Sequence, residues 1–173
     1  LTTKTKVMTT SCLYHTQGIR GYQYQKTERT ALTEIYHLHS TAHSLRCPCC
    51  RSEATTLVKT GKSRDIRGLS IGFKKTIMRV YTRRILCRDC GHSTQEPIDF
   101  CAAAYVSYSK WVVKFVLALR RAMSIREVAQ FTGLHWESVK NIEKKYLSKK
   151  YKKVRLGEVE YLGIDEVYLG KKL

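Results

Sequence analysis

The sequence runs to 173 residues, enough for one ordinary domain or two small ones. Its hydrophobic share of 43% permits packed cores, while 32 Lys and Arg against 14 Asp and Glu give a net charge of +18. Such a balance favours polyanionic partners over basic ones; no run of about eighteen apolar residues is present to span a membrane, and the opening "LTTKTKVMTTSC" lacks the apolar stretch of a secretory signal.

Residues 1–30 form an N-terminal segment, and residues 31–101 are expected to form a ribbon. "TEIYHLHS" is short and apolar enough to be a strand or a helix, and periodicity alone does not choose. Seven cysteines follow the same region or flank it: Cys12, Cys47, Cys49, Cys50, Cys87, Cys90 and Cys101. An odd count without an export signal argues against a disulfide framework. "RCPCCRSE" and "LCRDCGHS" each hold a Cys-x-x-Cys pair, Cys47 with Cys50 and Cys87 with Cys90. Two residues between thiolates let one tight turn aim both sulfurs at one ion, and two such knuckles make a tetrahedral S₄ site suited to structural Zn²⁺. Gly91 supplies the open backbone a knuckle needs. Cys49 could replace Cys50 as a ligand, and His92 or His43 could replace a thiolate; two redox pairs are the competing reading, but no βαβ pattern surrounds them. Cys12 and Cys101 read as ordinary small core or surface residues.

Residues 51–86 between the knuckles fit a ribbon whose hairpin carries an insertion. "SIGFKKTIMRVYTRRILC" alternates, with Ile77, Arg79, Tyr81 and Arg83 on one side and Met78, Val80 and Thr82 on the other, so it reads as a strand feeding the second knuckle. Ten Lys or Arg against one acid, Asp65, lie between Lys59 and Arg88. A small ribbon has little core, so metal is expected to supply much of its folding energy, and chelation to melt residues from about 30 to 100 while sparing the later helices.

From Ala102 the period changes. "SKWVVKFVLALRRAM" places Val112, Val116 and Leu119 on a wide apolar helical face beside Val113 and Leu117. In "SIREVAQFTGLHWESVKNIEKKYL", Ser124 and Glu127 form a capping box, Ile125, Val128 and Ala129 a buried stripe, Gly133 a sharp turn, and Val139, Ile142 and Tyr146 the inner face of a second helix. This is the arrangement of a helix-turn-helix over residues 102–150. Its second helix turns His135, Trp136, Glu137, Ser138, Lys140, Asn141 and Lys144 outward, towards base edges in a major groove. Asn141 suits bidentate adenine recognition, and Lys140, Lys144 and Lys145 suit phosphates. A plain three-helix bundle with a basic exterior is the bland alternative. "SKKYKKVR" reads as part of a basic linker, placed at residues 151–158, rather than a groove reader.

The order of "CPCC", "RRILCRDCGH", "MSIREVAQFTGLHWESVKNIEKKYL" and "YLGIDEVYLGKK" resembles the N-terminal part of the ISL-three family of bacterial insertion-sequence transposases. The resemblance covers the chain from about Leu13 onward. It implies an α+β architecture: a small β zinc ribbon, an all-α helix-turn-helix bundle, and at residues 159–173 the first strand of an RNase H-like catalytic domain. It further implies that Asp165 in "GIDE" is the first of three acidic Mg²⁺ ligands of a DDE-type transposase. The other two have no counterpart here, and one carboxylate cannot hold the metal pair that transesterification uses. The expectation is therefore a catalytically incomplete chain, inactive in strand transfer by itself, cytoplasmic, that binds the double-stranded terminal inverted repeats of its element. It could associate with itself or with intact transposase, and could compete with the latter as a repressor. Two departures stand out: "CPCC" adds Cys49 to the first knuckle, and His135 opens the second helix where Ser or Thr would cap better. The alternative function is a zinc-ribbon interaction module that acts through protein contacts and binds nucleic acid by charge alone.

Overall fold

The computed structural model describes residues 11–41 and 45–153, with Gly157 and Gly163. A short helix α1 (Ser11–Gln17) precedes β1 (Tyr22–Arg29) and β2 (Thr33–Ser40). The strands β3 (Thr55–Arg67) and β4 (Lys75–Cys87) form a long hairpin, β5 (Ser93–Gln95) follows, and α2 (Lys110–Leu119), α3 (Ile125–Thr132) and α4 (Trp136–Lys150) close the described chain. The architecture is α+β. The strands make one mixed sheet in the order β1-β2-β4-β3, with β5 also on β4.

The alternation of β4 appears directly in its burial. Thr76, Met78, Val80 and Thr82 are buried, while Ile77, Arg79, Tyr81 and Arg83 are partly exposed. "TEIYHLHS" is a strand; it runs antiparallel to β1 and parallel to β4, pairing Ile35 with Ile77 and His37 with Arg79. Its companion β1 lies in the segment 1–30, so the sheet extends beyond the span 31–101 expected for the ribbon. On the same edge of β4, β2 pairs residues 75–81 and β5 pairs Arg84 to Leu86.

Two cores follow from this layout. The first packs Leu13 and Ile19 with Leu38, Ile66, Met78 and Val80 of the sheet and with Ile98, Phe100 and Cys101. It sits near the start of β4, well away from Cys87 at its end. The ribbon therefore has more apolar burial of its own than composition suggests. The second core joins Val112 and Val116 of α2, Val128 of α3, and Val139 and Ile142 of α4.

The two are bolted together at the base of the hairpin tip. The Gln17 side chain, almost wholly buried, donates to the Leu69 carbonyl at 3.0 Å and accepts from the Leu69 N–H at 2.9 Å. Arg67 exchanges backbone hydrogen bonds with Ser107 and Ser109, and its Nη2 donates to the Thr132 carbonyl at 3.2 Å. Because burial disfavours the charged form, the Arg67 guanidinium is held below its ordinary pKa. The expected RNase H-like strand at 159–173 and the linker at 151–158 lie largely outside the described residues.

Candidate metal centre and nucleic-acid interface

The two knuckles are built alike. In the first, the Cys47 N–H donates to the Ser52 carbonyl at 2.9 Å, and the Arg51 N–H returns to the Cys47 carbonyl at 2.8 Å. In the second, the Cys87 N–H donates to the His92 carbonyl at 3.0 Å. Each turn passes through a left-handed residue directly after its second cysteine: Arg51 at φ 63° and Gly91 at φ 66°. The Arg88 N–H donates to the Ala54 carbonyl at 2.8 Å, and Arg88 Nε to Thr56 Oγ1 at 2.9 Å, which ties one knuckle to the other.

This framework brings the Sγ atoms of Cys47, Cys50, Cys87 and Cys90 within 4.8 Å of one another. Cys47 lies 3.6 Å from Cys90 and Cys50 lies 3.5 Å from Cys87. A tetrahedral S₄ zinc site with Zn–S bonds of about 2.3 Å has sulfurs about 3.8 Å apart, so the set fits such an ion with small adjustments. Cys47 and Cys87 are buried, and Cys50 and Cys90 face solvent. The Cys50 N–H, opposed by burial and helped by the Cys49 N–H, lowers the Cys47 thiol to about 7. At Cys90 the His92 N–H favours the thiolate, but partial desolvation within the cluster and the Cys50, Cys47 and Cys87 sulfurs outweigh it and push the thiol up to about 12. Four thiolates this close repel without a cation among them, and a divalent ion satisfies the whole set.

Of the ambiguous candidates, Cys49 is exposed and outside this cluster, His92 contributes its backbone rather than its ring, and His43 lies outside the described residues. Cys101 is core, with its Sγ 3.1 Å from the Val106 carbonyl. Among the described residues the four-cysteine group is the one set of three or more such side chains close enough to share a metal.

The helical unit presents the second site. Ser109 caps α2 by accepting from the Val112 N–H. The Ser124–Glu127 capping box is present, with the Ser124 N–H 2.7 Å from Glu127 Oε2 and the Glu127 N–H 3.3 Å from Ser124 Oγ. The Ser124 N–H holds the Glu127 carboxyl below its ordinary value. Gly133, at φ 66°, ends α3 and hands the chain to α4, whose N-cap His135 makes no side-chain cap. Arg120 Nε meets Glu143 at 3.0 Å and fixes the end of α2 to α4.

With Val139 and Ile142 turned inward, α4 leaves Trp136, Lys140, Asn141, Lys144 and Lys145 exposed, together with His135 before it; Ser138 is half-buried. The Lys140 Nζ sits 5.7 Å over the Trp136 ring, and His135 Nδ1 is 3.6 Å from Glu137. Asp165, the expected catalytic acid, lies outside the described residues. Sequence reasoning passed over Arg51, Arg67 and Gln17. Arg51 occupies a position that Gly normally signals, and the partners of Arg67 and Gln17 are 65 and 52 residues distant.

Comparison with known proteins adds identity to this geometry. Residues 43–90 match the family described as the zinc-finger of transposase IS204/IS1001/IS1096/IS1165. The chain is 26% identical over 157 residues to the transposase for insertion sequence element IS1001 of Bordetella parapertussis. That match covers 89% of this chain and 38% of the relative. No solved structure matches. The zinc-finger match falls on the four-cysteine cluster, and the longer match extends beyond it over most of the chain, so the chain is similar, as its motifs suggest, to insertion-sequence transposases both at the cysteine cluster and along most of its length, while spanning well under half of the relative.

Proposed function

We propose that the chain is a DNA-recognition portion of a transposase, acting in the cytoplasm on the terminal inverted repeats of its element. In this reading the zinc-ribbon domain, expected over residues 31–101 and extended by β1, holds structural Zn²⁺ on Cys47, Cys50, Cys87 and Cys90. Residues 102–150 are a helix-turn-helix, with α3 as its first helix and α4 as its reader. The observation that carries the reading is the exposed face of α4 beyond the capped α3 and the left-handed Gly133. Trp136, Lys140, Asn141 and Lys144 recur there at the spacing of one helix face, and an α-helix fits a major groove. Asn141 pairs with adenine, while Lys140, Lys144 and Lys145 meet phosphates, with Ser138 and His135 at the helix entrance. Strand transfer is not assigned to these residues alone. Asp165 would act only with two further carboxylates that hold paired Mg²⁺ ions, whose chemistry is to activate the nucleophile and stabilise the leaving oxygen.

The test is base substitution across the terminal repeat, with the zinc-loaded chain and its Asn141→Ala variant compared by equilibrium binding. The reading expects Asn141→Ala to remove discrimination at one base pair, by about 1–3 kcal/mol, and to leave the others intact. Uniform weakening at every position, or none, would contradict the assignment of α4 as reader.

A further inference from the structure

The long β3–β4 hairpin ends opposite the knuckles in a tip that the zinc and α4 assignments leave unused. Ile71 and Lys74 pair across it, N–H to carbonyl in both directions at 3.2 and 3.3 Å. Only two residues, Gly72 and Phe73, lie between them. Gly72 has φ +59° while Phe73 does not enter the left-handed region, the pattern of a tight two-residue hairpin turn with Gly at its first central position. Phe73 is 104% exposed. A hairpin turn ordinarily ends in small polar residues, and a fully exposed phenyl ring there adds no burial to the fold.

The neighbourhood says what the ring faces. Lys74 and Lys75 follow it directly, and Lys75 is exposed. The Lys75 Cε lies 3.2 Å from where a side chain on Gly133 would begin, so the tip stands beside the turn that opens α4. Its base is anchored, since Gln17 clamps Leu69 and Arg67 reaches Thr132. Phe73 also borders a groove of about 390 Å³ shared with Phe115 and Phe131, both exposed. Phe115 and Phe131 face each other there with ring centroids 6.4 Å apart, and Phe73 stands free at the rim of the same groove.

We propose that the tip Gly72–Lys75 is a second DNA-contacting element, which inserts Phe73 as an apolar wedge into the minor groove flanking the site read by α4. The inference rests on the α4 reading for the position of the duplex. Charge complementarity selects the partner: the tip carries the exposed Lys75 and Lys74, the latter also 3.8 Å from Glu34, on a chain of net charge +18 that is drawn to a polyanion and repelled by a second copy. The minor groove is about 6 Å wide, narrow enough to take a single ring from a two-residue turn but not a helix. Apolar wedges that part a base step, with cations on the adjoining phosphates, are an established mode of minor-groove binding. The mounting of the tip removes the ordering cost that a flexible loop would carry.

The experiment uses the zinc-loaded full chain and duplexes of the terminal repeat with 2-aminopurine scanned through the flank. Wild type, Phe73→Ala, Phe73→Tyr and Asn141→Ala are compared by affinity, footprint and fluorescence. Phe73→Ala is expected to weaken binding about tenfold, to lose the fluorescence rise at one flanking step, and to shorten the footprint on that side. Its melting temperature and the base preference at the position read by Asn141 stay unchanged, and Phe73→Tyr retains most of the affinity. Asn141→Ala keeps the flanking signal and loses the base preference. Wild-type affinity and footprint for Phe73→Ala overturn the wedge while leaving the α4 reading intact. A normal Asn141→Ala beside a weakened Phe73→Ala keeps the tip as a DNA-contacting element and overturns the α4 reading together with the flanking position assigned to the wedge. Conversion of a dimer to monomers by Phe73→Ala, without any change in DNA binding, assigns the surface to a second copy and overturns the wedge.

Discussion

Arg51 is the residue at which the two knuckles differ most in cost. Both knuckles need a left-handed residue after their second cysteine, and the second has Gly91 where the first has Arg51. A side chain in that conformation costs about 1–2 kcal/mol, part of which Gly offsets through the greater unfolded-state freedom it loses on folding. Arg51→Gly is therefore expected to stabilise the zinc-loaded chain by about 0.5–1 kcal/mol in denaturant unfolding. A loss of stability would show that the Arg51 side chain has a role outweighing its strain. Cysteine spacing was legible at this scale because one turn dictates it locally. Cys50 over Cys49 was not legible, since "CPCC" permits either, and only the folded turn points Cys50 Sγ at Cys87. The weak start of α4 was legible in His135, which indeed caps nothing.

At the scale of elements, legibility followed locality. The helices α3 and α4 declare themselves through a capping box, a turn glycine and an inner stripe, all within a few residues of one another. The alternation of β4 was equally plain because one of its faces is core. The character of β2 was not, since its parallel pairing with β4 joins residues about forty positions apart, across the first knuckle and the whole of β3. That pairing also changes what metal removal does. The sheet core around Leu38, Met78 and Val80 lies at the far end of β4 from the cysteines and keeps its own apolar burial. Chelation is accordingly expected to release the knuckle end, residues 45–56 and 84–95, rather than all of 30–100. Hydrogen exchange on the chelated chain should show the Cys47, Cys87 and Arg88 amides losing protection, while those of Leu38, Met78, Val80 and the helices retain it. Loss of protection throughout the sheet would mean that the metal holds both ends; no loss anywhere would remove its structural role.

For the whole molecule, composition carried the broadest message and the fold gave it direction. A charge of +18 predicts a polyanionic partner but not a mode of contact. The structure sets ten of the 32 basic residues, from Lys59 to Arg88, along a long hairpin and further lysines along α4, with a four-cysteine cluster at one end of the hairpin and its tip seated against the α3–α4 turn by Arg67. No helix among the described residues is long and apolar enough to cross a membrane. The packing of ribbon to helices depends on partners more than fifty residues apart, which is why no local pattern announced it. The central claim is that this assembly reads sequence rather than merely charge. Its most direct test is competition binding of the zinc-loaded chain to a duplex of the element's terminal repeat and to a scrambled duplex of equal composition, at physiological salt. Recognition predicts a preference of at least about 10³ for the repeat. Equal affinity for the two, falling together as salt rises, would contradict it and leave a basic scaffold that binds DNA through its phosphates alone.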